Sequence, residues 1–144
     1  LSDERIPIKV RLVTEMKDRE DKQKVVVEET GDYIRKGNTS VIRYTEHHEE
    51  EQPIDNMVTI KPDKVIVRRT GPVHMNQIFQ VEQVTENIYH HPYGNFHMLT
   101  TTKSIHLEQS DAPIKGMLKM VYDLEMNGQV KQRHRFSLRF QEVN

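Results

Sequence analysis

The sequence predicts an all-β protein: a single antiparallel, up-and-down β-barrel of about ten strands, with little helix. Three observations predict it. Apolar and polar residues alternate with a period of two along most of the chain, the pattern of a strand with one buried face. Apart from Pro7, the six glycines and six prolines fall at or near breaks between these runs or at the chain ends. No stretch carries the 3.6-residue periodicity of an amphipathic helix. A sheet of that many strands curls and closes, because closure removes its edges.

The first strand is read over 6–16, with Ile6, Ile8, Val10, Leu12, Thr14 and Met16 on one face. Pro7 suits a strand start. A charged turn over 17–22 leads to a second strand over 24–30, which Gly31-Asp32 is expected to end. The third runs over 39–48, with Ile42, Tyr44 and Glu46 opposite Val41, Arg43 and Thr45. Strands over 57–61 and 64–70 flank the Pro62-Asp63 turn, and Gly71-Pro72 turns the chain again. In the strand over 74–81, Met75, Gln77, Phe79 and Val81 share a face; a strand over 84–91 follows. The turn over 92–95 opens a long Thr-rich strand without internal Gly or Pro, and 109–116 reads as a loop.

The last hairpin pairs Leu118, Met120, Tyr122, Leu124 and Met126 with Val130, Gln132, His134, Phe136, Leu138 and Phe140. Asn127-Gly128 suits a two-residue type I′ turn. That turn sets apolar against charged residues, however. A three-residue loop, with Leu124 opposite Val130 and Leu118 opposite Phe136, keeps the buried faces together and is preferred.

The chain has 144 residues, enough for one domain over 1–144. It is polar, with 35% hydrophobic and 30% charged residues, as suits a thin core under a wetted outer face. A formal net charge of −1 calls for no nucleic acid and no anionic membrane. Without cysteine there is no disulfide, thiolate ligand or thiol nucleophile. The charged opening has no signal-peptide pattern and no apolar run approaches a membrane span, so a cytoplasmic location is expected.

The order of several short motifs resembles the YwiB-like family of small bacterial proteins. These are Gly37-x-x-x-Val41-Ile42-Arg43-Tyr44-x-Glu46, Thr59-Ile60 with 65–71, Tyr89-x-x-Pro92-Tyr93-Gly94, the Thr-rich strand, and Tyr122-Asp123-Leu124. The resemblance covers nearly the whole chain. It implies a calycin-type barrel related in shape to lipocalins and fatty-acid-binding proteins, with no activity and no catalytic residues to carry over. The two lid helices of fatty-acid carriers have no counterpart here.

Phosphate loops, nucleophile elbows and helical metal motifs are absent, so no catalytic residue, cofactor or metal site is assigned. Glu28-Glu29 and 49–51 read as solvated carboxylates. Counting strands up and down places His47, His48, His74, His90 and His91, with Tyr93, on one rim. His97 lies just below it, and only His106 lies near the other end. Inward polar residues form a second set in the same half: Glu46, Arg69, Tyr122, Gln132 and His134. An inward charge needs a partner, and Glu46 is the candidate for Arg69. Lys131, Arg133, Arg135 and Arg139 form an outward stripe that Asp123 and Glu125 are expected to offset.

These patterns predict a non-enzymatic binder of a small, partly apolar molecule, neutral or anionic, inside the barrel. The competing prediction is a structural or protein-interaction barrel with a filled core. The sequence does not define an oligomeric state.

Overall fold

A computed structural model describes residues 4–129 and 131–143. Its ten strands are β1 Ile6–Lys17, β2 Lys22–Lys36, β3 Thr39–Glu46, β4 Ile54–Ile60, β5 Val65–Thr70, β6 Met75–Phe79, β7 Val84–His91, β8 Gly94–Asp111, β9 Ile114–Met126 and β10 Gln132–Glu142. They form one antiparallel sheet in the order β6-β5-β4-β3-β2-β1-β10-β9-β8-β7. Neighbours in sequence are therefore neighbours in space, and β1 also pairs with β10. The remaining seam, between β6 and β7, is nearly closed. There His74 and His90 exchange backbone hydrogen bonds of 2.9 and 2.8 Å. Among the described residues there is no helix.

The inward set follows the alternation. Ile8, Val10, Ile42, Val58, Val65, Leu118, Met120 and Leu138 are all buried. Burying such side chains stabilises by about 1.5–3 kcal/mol each. Exposed outward ion pairs such as Arg11–Glu28 contribute only about 0–1 kcal/mol. Stability therefore comes from the interior, and rings fill it. Tyr33 on β2 stacks on Phe140 of β10 at 5.4 Å between centroids. Phe79 on β6 meets Tyr122 on β9 edge-on at 4.7 Å, which spans the seam.

Three expectations are corrected, and the long strand shows one feature the sequence did not announce. Gly31 does not end β2, which runs through to Lys36. Gly31 pairs with Ile8 on one side and Tyr44 on the other. A Cβ there would fall on the Arg43 carbonyl, so the glycine permits a close strand approach and makes no turn.

The segment 109–116 is not a loop: β8 runs to Asp111, and Ala112-Pro113 alone joins it to β9. Gly116 is again a close-approach residue, since a Cβ would strike the Phe140 ring and the Glu108 carbonyl.

The long strand carries a bulge between Thr102 and Ser104. Below it the inward set passes from Met98, Thr100 and Thr102 to Ile105 and Leu107.

In the last hairpin the preferred register is off by two, although the buried face is right. Gln132, not Val130, pairs with Leu124, and Leu138, not Phe136, pairs with Leu118. Val130 itself lies outside the described residues. Asn127 and Gly128 do adopt left-handed φ of 51° and 72°, and Gln129 N–H bonds Met126 O at 2.9 Å, as in a type I′ turn. An extra residue between Gln129 and Gln132 then restores the parity that this turn alone would break. Asn127 is anchored besides, because its Oδ1 accepts the His97 N–H at 2.8 Å.

Candidate functional site

The period of two carries Glu46 and Arg69 inward on β3 and β5, two strands apart with β4 between. Glu46 is 6% exposed. Arg69 Nη2 donates to both its carboxylate oxygens, at 3.1 and 3.3 Å. Asn56, on the intervening β4, donates through Nδ2 to Oε1 at 3.1 Å. His48 Nε2 lies 3.0 Å from Oε2. The carboxylate is thus held from three sides, as a buried charge must be. Tyr44, beside it, has its phenol pushed well above the ordinary range by burial and by the Glu46 charge, with Arg69 opposing.

Asn56 was missed in the sequence because the fourth strand was read from Met57; the observed strand starts at Ile54 and puts Asn56 inward. Glu29, read as solvated, is a second correction. It lies on the inward face of β2 opposite Val10, and its carboxylate accepts the His47 backbone N–H at 3.0 Å and faces His47 Nδ1 at 3.3 Å. Above Gly31 the β2–β3 ladder stops, which leaves Glu29 free to reach the following loop.

The other inward polar residues form a separate group. Thr102, Tyr122 and His134 are neighbours in register across β8, β9 and β10. His134 stacks on Tyr122 at 5.0 Å and 21°. Both residues are 6% exposed, and Thr102 is 1% exposed. Among the described residues, both His134 ring nitrogens and Thr102 Oγ1 are buried without a hydrogen-bond partner, as is Arg69 Nε. Burial pushes His134 down to about 4, against an opposing pull from Asp123. Burial alone pushes the Tyr122 phenol up. Nearby, Gln77 Nε2 donates to Thr100 Oγ1 at 2.9 Å, tying β6 to β8. Gln132 is only half-buried, pairs with Leu124 and joins neither group.

The rim residues stand at one end, in separate contacts. His47 meets Glu29, His48 meets Glu46, and the His74 and His90 rings lie 5.9 Å apart. His91 stacks on Tyr93 at 5.1 Å, and Tyr93 is 91% exposed. Among the described residues no group of three His, Asp or Glu is placed to hold a metal ion. Three cavities of the structure, of about 900, 420 and 400 Å³, are lined mainly by outward-facing residues.

The fold and these inward polar groups define a small ten-stranded antiparallel β-barrel protein with a polar set inside its rim. A family model described as Domain of unknown function (DUF1934) matches residues 10–138, and the chain belongs to that family. The chain is 25% identical over 135 residues to the Uncharacterized beta-barrel protein YwiB of Bacillus subtilis (strain 168), covering 94% of this chain and 93% of the relative. The crystal structure of the ywiB protein from Bacillus subtilis matches with a TM-score of 0.84 at 24% identity, covering 97% of this chain and 94% of that one. The resemblance in motif order is therefore to the right family, and the barrel is the family's fold.

Two outcomes follow from this geometry. Arg69→Met leaves Glu46 buried with only Asn56 and His48, and urea melts are expected to show a loss of about 2–3 kcal/mol. This falls below the roughly 3–5 kcal/mol of a fully buried pair because Arg69 is part-exposed. Replacing both with apolar residues is expected to be nearly neutral, and Arg68→Met, on the outward face, to cost under about 1 kcal/mol.

The second outcome concerns pH. His134 has its folded value lowered to about 4, against about 6.5 unfolded. The unfolded chain binds more protons between these values, so this contribution to stability is full above about pH 6.5 and is lost as pH falls towards 4. Melts of the wild type are expected to lose up to about 2 kcal/mol more between pH 6.5 and 5 than those of His134→Phe.

Proposed function

We propose that the protein is a non-enzymatic binder of a small, partly apolar molecule held in the upper half of the barrel, as in calycin-type carriers. The observation that carries this reading is the row of Thr102, Tyr122 and His134, in which the Thr102 hydroxyl and both His134 ring nitrogens are buried and have no hydrogen-bond partner among the described residues. An unsatisfied buried polar group costs about 1–3 kcal/mol. A ligand offering one donor and one acceptor offsets that cost. Neutral imidazole and hydroxyl groups can each give and accept a hydrogen bond. Because Glu46 already neutralises Arg69, the reading favours an uncharged ligand over an anion. The β6–β7 seam, bridged at His74 and His90, is the natural way in.

The second reading is a filled barrel that works through its outer surface. The Tyr33–Phe140 and Phe79–Tyr122 pairs favour it, because their rings occupy the interior.

Native mass spectrometry of gently purified protein, with titration by an uncharged fluorescent hydrophobic probe such as Nile red, separates the two. The binder reading expects a retained mass or saturable probe binding. It also expects His134→Phe to weaken binding about tenfold, the worth of one hydrogen bond. A wild type that retains nothing and binds no probe establishes the filled barrel.

A further inference from the structure

The outward faces of β1 and β10 carry an unusual charge pattern. Lys9, Arg11, Lys17, Arg133, Arg135 and Arg139 stand there against Glu15 alone. The register places Arg11 directly opposite Arg139 and Lys17 directly opposite Arg133, while Glu15 stands opposite Arg135. Like charges opposed across a ladder are destabilising, and strands that serve only as a wall gain by alternating them. The neighbours relieve this only in part. Arg133 is held by Asp123 at 2.7 Å, and Glu28 lies 3.5 Å from Arg11. Among the described residues Lys9, Lys17, Arg135 and Arg139 have no ion pair. The expected offset of the β10 stripe by Asp123 and Glu125 is therefore met only at Arg133.

Two concavities lie on this same face. The larger, about 900 Å³, has Lys9, Arg11, Lys115 and Arg139 in its lining, together with Val10, Met117 and Phe140. Its carboxylates lie on the flanking strands and are engaged: Glu28 with Arg11, Glu29 with His47, and Glu108 with His106 at 3.2 Å. The smaller, about 400 Å³, is lined by Lys17, Lys22, Lys24, Arg133 and Arg135, with Glu15. Arg133 to Arg139 spans about 20 Å at roughly 3.4 Å per residue, with alternate residues facing out. A line of cations running through two concavities suits a long, convex polyanion better than a small one.

We propose that the outer face of β1 and β10 binds the phosphate backbone of a nucleic-acid duplex, without sequence preference. No aromatic side chain faces outward on either strand, so nothing there can stack on the bases of a single strand. The apolar side chains on these two faces are Pro7 and Val13, both too small to insert deeply into a membrane. The formal net charge of −1 averages this stripe against acidic residues elsewhere. This site is independent of the barrel interior and of the ligand proposed there.

Fluorescence anisotropy with a labelled 20-base-pair DNA duplex of arbitrary sequence tests the proposal on the full chain. Binding is expected at 50 mM salt. If about four cations meet phosphates, the slope of log K against log salt is about −4. Arg135→Gln/Arg139→Gln is expected to weaken binding more than tenfold and to bring the slope to about −2. Lys9→Gln/Lys17→Gln does the same from the adjacent strand, and Arg68→Gln on β5 changes nothing. All the altered side chains are exposed, and unchanged melting temperatures confirm that the variants are folded. Absence of duplex binding at 50 mM salt overturns the proposal, as does an unchanged slope in both double variants. Tighter binding to the single strand, or to phosphatidylserine vesicles, overturns it too.

Discussion

The contact of Phe79 with Tyr122 across the seam governs the interior. Nine of the ten junctions in the sheet are hydrogen-bonded ladders and hold themselves. The tenth, between β6 and β7, has one backbone bridge near the rim. Below that bridge the two sides are held by side chains: Phe79 against Tyr122, and Gln77 against Thr100 on β8. This ring pair reaches from β6 to β9 and so links the two sides of the seam across the interior. It also positions Tyr122, on which His134 stacks. The His134 imidazole is thus packed against a ring that takes part in closing the seam.

Much of this was legible in the sequence because a strand's side-chain period is two. Once Val65 and Val67 face inward, Arg69 must follow them, and once Ile42 and Tyr44 do, Glu46 must follow. Parity could not reveal which inward groups meet. That depends on register between strands, and it brought Asn56 and His48 to Glu46 while leaving Gln132 in no cluster.

The glycines show a different limit. Gly31 and Gly116 read as breaks, yet each sits inside a strand where neighbouring atoms leave no room for a Cβ. Whether a glycine turns a chain or lets another approach is decided by a partner far away in sequence. The bulge at Lys103 had no local signal at all. It reconciles an upper inward set ending at Thr102 with a lower one beginning at Ile105, and that need exists only once β9 lies alongside. The Asn127-Gly128 turn was recognisable, but the extra residue that corrects its parity was not.

Net charge misled in a related way. A total near zero fits a surface of evenly mixed signs and equally one sorted into stripes. Only the β1–β10 register shows that cations lie opposite cations. Inside the barrel the same chain keeps opposite charges together at Glu46 and Arg69. The contrast between a paired charge inside and an outer stripe that is only partly compensated separates the part of this molecule that stability explains from the part that it does not.

The central claim, that side chains and not a ladder close the seam, is tested most directly by residue-resolved hydrogen exchange on the wild type and Phe79→Leu. The account predicts that β1, β9 and β10 amides exchange only through global unfolding, while those of β6 and β7 open at lower free energy. It further predicts that Phe79→Leu accelerates β6 and β7 beyond the change in global stability. Acceleration spread uniformly over all ten strands, or seam amides as protected as those of β10, would contradict it.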